Sequence, residues 1–117
     1  MAESKSDILQ GTLDLMVLQT LEAMGPLHGY GIARWIELVT EEDLLVEEGS
    51  LYPALHRLQA RDLVTSQWTI SETNRRVRCY SLTEQGKQQL RAEMSRWDRF
   101  SVAVSRALTA RRPSKAV

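Results

Sequence analysis

Along this chain the apolar positions recur first with a helical period. Leu13, Met16, Val17, Leu21 and Met24 form one stripe, and Gly25-Pro26 ends the helix. Leu15 and Leu18 point to the other side, so the helix needs cover on two faces, while the core of one domain supplies only one cover. A partner subunit is the expected second cover. After the turn Gly25-Pro26-Leu27-His28-Gly29, the residues Ile32, Ala33, Ile36 and Val39 mark a second helix ending near Thr40. An acidic connector over residues 41–48 leads into a third. There Leu51, Leu55 and Leu58 fall at i, i+4 and i+7, with Ser50 placed to cap the first turn and Pro53 inside that turn, where a missing N–H costs little. Opposite the stripe lie Pro53, His56, Arg57 and Ala60, with Tyr52 on the flank. The small residues allow close approach and the larger ones carry donors. This helix, ending near Arg61-Asp62, is the candidate for entering a DNA groove.

The period then changes to two. Val64, Trp68 and Ile70 alternate along one strand, and Arg78, Tyr80 and Leu82 along the next. Trp35 and Trp68 read as core or core-edge aromatics. The loop Ser71-Glu72-Thr73-Asn74-Arg75-Arg76 sets two adjacent arginines at a hairpin tip, as a wing needs in order to touch phosphate or enter a minor groove. A soluble hairpin loop is the plainer alternative. Thr83 caps a last helix running to about Leu108, along which Leu90, Met94, Trp97, Ser101, Val104 and Leu108 recur at alternating spacings of four and three. This seam, interrupted at Ser101 and flanked by Phe100, has no later element to cover it and is expected to meet a second chain. The predicted fold is therefore mainly α with a small β-hairpin (α+β). Residues 1–82 form a winged helix-turn-helix, residues 83–110 a dimerisation helix, and residues 111–117 a frayed basic tail.

Charge changes this picture more than composition does. With 117 residues and 43% hydrophobic content the chain suits one small globular domain. Its net charge is zero, yet two bases face ten acids in residues 1–50, whereas thirteen bases face five acids in residues 51–117. The basic half begins at the candidate DNA-entering helix, as a local nucleic-acid surface requires. An ordinary solvated face with a basic tail is the alternative. Cys79 is the single cysteine, which excludes an internal disulfide and fits a reducing compartment. The first residues lack a basic segment followed by an apolar core, and no apolar run approaches bilayer length, so a cytoplasmic protein without a membrane partner is expected.

Catalytic chemistry finds little support. The two histidines, His28 beside a turn and His56 on the third helix, have no evident catalytic partner. Gly29-Tyr30-Gly31 lacks both the preceding strand and the third glycine of a phosphate loop. No ligand pair has metal-site spacing, and Cys79 reads as a half-buried strand residue. Neither an enzyme nor a bound cofactor or metal is expected.

Several blocks in order carry a resemblance that covers nearly the whole chain. They are Gly25-Pro26-Leu27-His28-Gly29-Tyr30-Gly31-Ile32, Gly49-Ser50-Leu51-Tyr52-Pro53-Ala54-Leu55-His56-Arg57-Leu58, Arg75-Arg76-Val77-Arg78-Cys79-Tyr80-Ser81-Leu82-Thr83-Glu84-Gln85-Gly86, and Trp97. With them the chain resembles the PadR family of bacterial transcriptional regulators, in its short subgroup with a single C-terminal helix. The resemblance implies a homodimeric repressor on an inverted repeat of double-stranded DNA, with two DNA-reading helices in successive major grooves. It places Ser50, Tyr52, Pro53 and His56 where family members meet DNA, and Arg75 and Arg76 at the wing tip. It also implies that the last helix of one subunit packs on the first and last helices of the other, so that Leu15, Leu18, Leu90, Met94, Trp97, Val104 and Leu108 form the interface. Some members release DNA when a planar aromatic or phenolic compound stacks on the tryptophan matching Trp97.

Individual side chains keep alternatives at this stage. Tyr52 either donates to a phosphate or packs on the wing, and His56 either reads a base edge or faces water. Arg57 and Arg61 either meet the DNA backbone or pair with the acidic connector. Glu47 and Glu48 favour the positive end of the following helix but repel phosphate, so they are expected to point away from DNA. The zero net charge leaves a rival function, a winged-helix protein-interaction module without DNA affinity.

Overall fold

The computed structural model describes the backbone of residues 2–113 and side-chain surroundings from Gly11 to Pro113. Part of the expected basic tail, residues 114–117, lies outside the described residues, as does Met1. Four helices and three strands follow in the order α1 (Ala2–Met24), β1 (Leu27–His28), α2 (Gly29–Val39), α3 (Glu48–Ala60), β2 (Val64–Ile70), β3 (Arg76–Leu82) and α4 (Glu84–Thr109). The fold is α+β, as the periodicities predict.

One core joins these elements. Leu13, Val17 and Leu21 of α1 meet Ile32 and Ile36 of α2, and Leu51, Ala54, Leu55 and Leu58 of α3 close the triangle of helices. Leu63, Val64, Tyr80 and Leu90 seal it from the sheet and α4. Each such aliphatic side chain, fully buried, contributes about 2 kcal/mol, and this offsets much of the ordering cost of the short elements. The sheet is antiparallel in the order β1-β3-β2, with Val64 opposite Leu82 and Ile70 opposite Arg76. Its third strand corrects the sequence expectation. Leu27 and His28 were read as part of a turn, but they extend and pair with Tyr80 and Cys79. Two residues are too few for a period-two signal, so only the neighbouring strand reveals them.

Both ends of α3 show how local chemistry aims the helix. Its N-cap is Glu47, in extended conformation and without a side-chain cap bond, and Ser50 is already the third helical residue, its N–H donating to Glu47 O at 3.0 Å. Ser50 is therefore not the cap. Pro53 likewise falls beyond the first turn, at the sixth position, where it lacks the N–H that would have bonded the carbonyl of Gly49. At the other end the Asp62 N–H donates to Gln59 O at 3.0 Å and the Leu63 N–H to Leu58 O at 2.9 Å, with Asp62 left-handed at φ 60°. This paired closure returns Leu63 to the core beside Leu58.

The start of α4 is locked onto that same turn. Thr83 donates its hydroxyl to Asp62 O at 2.7 Å, donates its N–H to Leu63 O at 3.1 Å, and accepts the Gly86 N–H at 2.8 Å. A side chain at position 86 would collide with the Leu63 carbonyl oxygen, so glycine permits the approach. Beyond this lock, α4 projects from the body, and the chain extends 68 × 28 × 24 Å.

Candidate nucleic-acid interface

The face of α3 turned away from the core exposes Ser50, Tyr52, Pro53, His56, Gln59 and Ala60. Its opposite face is filled by Leu51, Ala54, Leu55 and Leu58, and this is why the polar positions have nowhere to go but outward. Tyr52 lies at one edge of this surface. Its ring packs against Gly29, the first residue of α2, where a Cβ would stand 2.7 Å from the Tyr52 hydroxyl. The ring thus packs on the start of α2. The hydroxyl consequently sits beside a helix start, whose free amides favour an anion.

Arg57, placed among the candidate DNA contacts, turns inward to α1. Its Nη2 donates to Asp14 Oδ1 at 2.7 Å and its Nε to Asp14 Oδ2 at 3.3 Å. A fork-to-fork pair of this kind is geometrically demanding and fixes α3 against α1. The acidic connector, its alternative partner, is tied instead to α2. Glu37 accepts the Val46 N–H at 3.0 Å, and Arg34 lies 3.5 Å from both Glu37 and Glu42. Glu47 and Glu48 are exposed at the start of α3.

The hairpin β2–β3 forms the wing. At its tip the N–H of Ser71 donates to Arg75 O at 2.8 Å, the N–H of Asn74 donates to Ser71 O at 2.9 Å, and Asn74 takes a left-handed φ of 62°. Arg75 stands exposed at this tip. Arg76 does not share its position, because it is the first residue of β3 and its guanidinium lies over the Trp68 ring at 4.5 Å. Arg78 lies over the same ring at 4.9 Å. Trp68, expected in or at the edge of the core, is 52% exposed. The strands outrun the core: Val64, Tyr80 and Leu82 cover it, whereas Trp68, Ile70, Arg76 and Arg78 continue the same face past its edge.

Two residues unremarked in the sequence tie wing to helix. The Arg78 Nε donates to Ser66 Oγ at 3.1 Å, and Ser66 Oγ donates to Gln59 Oε1 on α3 at 3.2 Å. Between α3 and the wing lies a cleft of about 380 Å³ bordered by His56, Gln59, Ala60, Arg78 and Tyr80. Burial raises the Tyr80 hydroxyl above the ordinary 10.0, against the opposing pull of Arg78 and with a smaller push from Tyr52. Arg75, Arg76 and Arg78 make no ion pair among the described residues, whereas Arg61 lies on the other side of α3, bordering α1 and α4. An outward polar helix face, a cleft and a line of unneutralised guanidinium groups thus form one continuous surface.

The proposed interface residues divide. Leu18 is 2% exposed and Leu90 4%, both inside the core of a single subunit, so their place in a subunit contact is corrected. Helix α4 itself covers the second face of α1 at Leu18. Leu15 is half-buried against that core, while Met94, Trp97, Val104 and Leu108 are exposed along α4. Trp97 meets Phe100 with ring centroids 6.1 Å apart. Among the described residues no group of three or more His, Cys, Asp or Glu is placed to hold a metal ion, and no helix is long and apolar enough to cross a membrane.

The model of the transcriptional regulator PadR-like family matches residues 17–92, more than half of the chain. The chain belongs to this family. PadR-like proteins are non-enzymatic, DNA-binding transcription regulators, and the matched span runs from the core of α1 through the wing to the supported start of α4. Among solved structures, a transcriptional regulator from Clostridium thermocellum superposes with a TM-score of 0.77 at 26% identity, covering 86% of this chain and 96% of that one. Bacillus subtilis PadR, solved in complex with operator DNA, gives a TM-score of 0.62 at 28% identity over 70% of this chain and 46% of that one. A 37.1 kDa uncharacterized protein of a Streptomyces fradiae transposon is 41% identical over 87 residues; this chain spans 23% of its length.

Proposed function

We propose that this PadR-like protein is a homodimeric repressor of an inverted-repeat operator, held together by the exposed seam of α4. Residues 1–82 read the DNA, residues 83–110 set the distance between two such units, and the protein works in the cytoplasm. The observation that carries the proposal is the continuity of the α3 outer face with the wing guanidinium groups. Ser50, Pro53 and His56 enter the major groove, Tyr52 meets a phosphate beside the start of α2, and Arg75 and Arg76 follow the adjacent backbone. Arg57 serves as a brace through Asp14. A planar aromatic or phenolic effector stacking on Trp97 relieves repression, supported by the exposure of Trp97 and Phe100 together.

Titrating duplex from the gene's own upstream region at several salt concentrations tests the DNA reading. Binding should weaken steeply with salt, and the Arg75→Ala/Arg76→Ala double variant should lower the slope by about one unit per lost phosphate contact. An unchanged slope would remove the wing from the interface. A zero net charge and the exposed Glu47 and Glu48 speak for the rival, a protein-interaction module, and absence of specific binding to any upstream duplex would favour it. For the effector, tryptophan fluorescence should respond to planar aromatics in the native protein and not in Trp97→Phe.

A further inference from the structure

We infer that Trp68 is a positioning residue: its indole holds Arg76 and Arg78 as a preset pair of guanidinium groups aimed at one stretch of DNA phosphates, and the Gln59–Ser66–Arg78 chain keys that pair to α3. The inference rests on the DNA-binding reading and deepens it. A tryptophan more than half exposed on a wing, with two cations 4.5 and 4.9 Å from its ring centroid, is not explained by core packing. Cross-strand register produces the arrangement, since Trp68 pairs with Arg78 and Arg76 lies one same-face step nearer the hairpin tip. Two adjacent cations repel, and no carboxylate neutralises either among the described residues. The negative face of the indole offsets part of that repulsion without consuming a hydrogen-bond donor. Ser66 takes only the Nε–H of Arg78, leaving the terminal nitrogens of that guanidinium for phosphate oxygens.

Such a pair is worth building because a free arginine loses much rotamer freedom when it binds, and fixing it beforehand reduces that loss. The Ser66 bridge to Gln59 adds register. It links the phosphate-facing side chains to the helix that reads bases, so wing and α3 meet DNA as one rigid unit. Arg75, at the tip and outside the stack, contributes charge without this preorganisation.

The test measures binding of the full chain to a mixed-sequence duplex about four helical turns long, across a salt series. Trp68→Ala should weaken binding roughly five- to tenfold while leaving the salt slope unchanged, because both charges remain. Trp68→Phe, which keeps a ring face, should recover most of the loss. In an Arg76→Ala/Arg78→Ala background, whose slope should itself be about two units shallower, Trp68→Ala should have no further effect. An equal loss in that background would show that the indole touches DNA directly and would overturn the positioning role. In the free protein the guanidinium NMR signals of Arg76 and Arg78 should show ring-current shifts that vanish in Trp68→Ala. Binding by the native chain that is indifferent to Trp68→Ala would sink this inference alone, whereas failure of the native chain to bind any duplex at low salt would sink the DNA reading with it.

Discussion

The two ends of α4 carry the same apolar periodicity and meet opposite surroundings. At its start Gly86 and Leu90 are sealed into the subunit, and Thr83 clamps the first turn to the end of α3. Within the next heptad Met94 and Trp97 are exposed, and at the far end Leu108 is 79% exposed. The radius of gyration, 17.4 Å, exceeds the roughly 13 Å of a compact chain of this length, and the exposed half of α4 belongs to that extension. Periodicity states that a stripe must be buried; only geometry states whether the same chain can reach it.

The sharpest way to break the contrast is Met94→Glu. In the proposed dimer it forces an unpaired charge into the seam and should cost about 3 kcal/mol or more of association free energy. Sedimentation should then report monomers while hydrogen exchange in the α1–α3 core stays protected. A variant that remains dimeric would place the contact elsewhere. At the supported end, Gly86→Ala should lower stability by about 2 kcal/mol, read from the urea midpoint, because backbone atoms of Leu63 must move. Little change there would mean that the clamp is loose. Removing the brace with Asp14→Ala should cost about 1 kcal/mol, since the pair is partly solvated, and should loosen α3 against α1 by the same measure. The smallest effect concerns pH. Tyr80 has a raised value in the fold, so its contribution is complete below 10.0 and is lost as pH rises through that raised value. Tyr80→Phe should flatten this alkaline decline in stability.

Much of this was legible because period and burial coincide where the core is thick. Leu51, Leu55 and Leu58, the Thr83 cap and the break at Gly25-Pro26 follow from local rules and hold in three dimensions. The rest depended on lengths that local rules do not contain. Trp68 looked like a core residue because it shares a strand face with Val64, yet β2 extends past the core before reaching it. Leu18 pointed to an interface because it faces away from the main stripe of α1, and Leu90 because it opens the seam of α4, but the two helices cross there and bury both within one chain. Arg57 matched an outward position by helical angle, and only the approach of Asp14, 43 positions earlier, turned it inward. Gln59 and Ser66 carried no motif at all; their relation to Arg78 is created by the register of two strands against a helix.

The Thr83–Gly86 clamp has a mechanical consequence. Helix α4 is about 39 Å long and is held to the body as far as Leu90, so its free arm is the roughly 28 Å beyond that residue. A tilt of about 5° at the base of that arm moves the far end by roughly 2.5 Å, most of one step between neighbouring base pairs. Small angular changes where α4 leaves the body are thereby geared into displacements on the scale of a base-pair step.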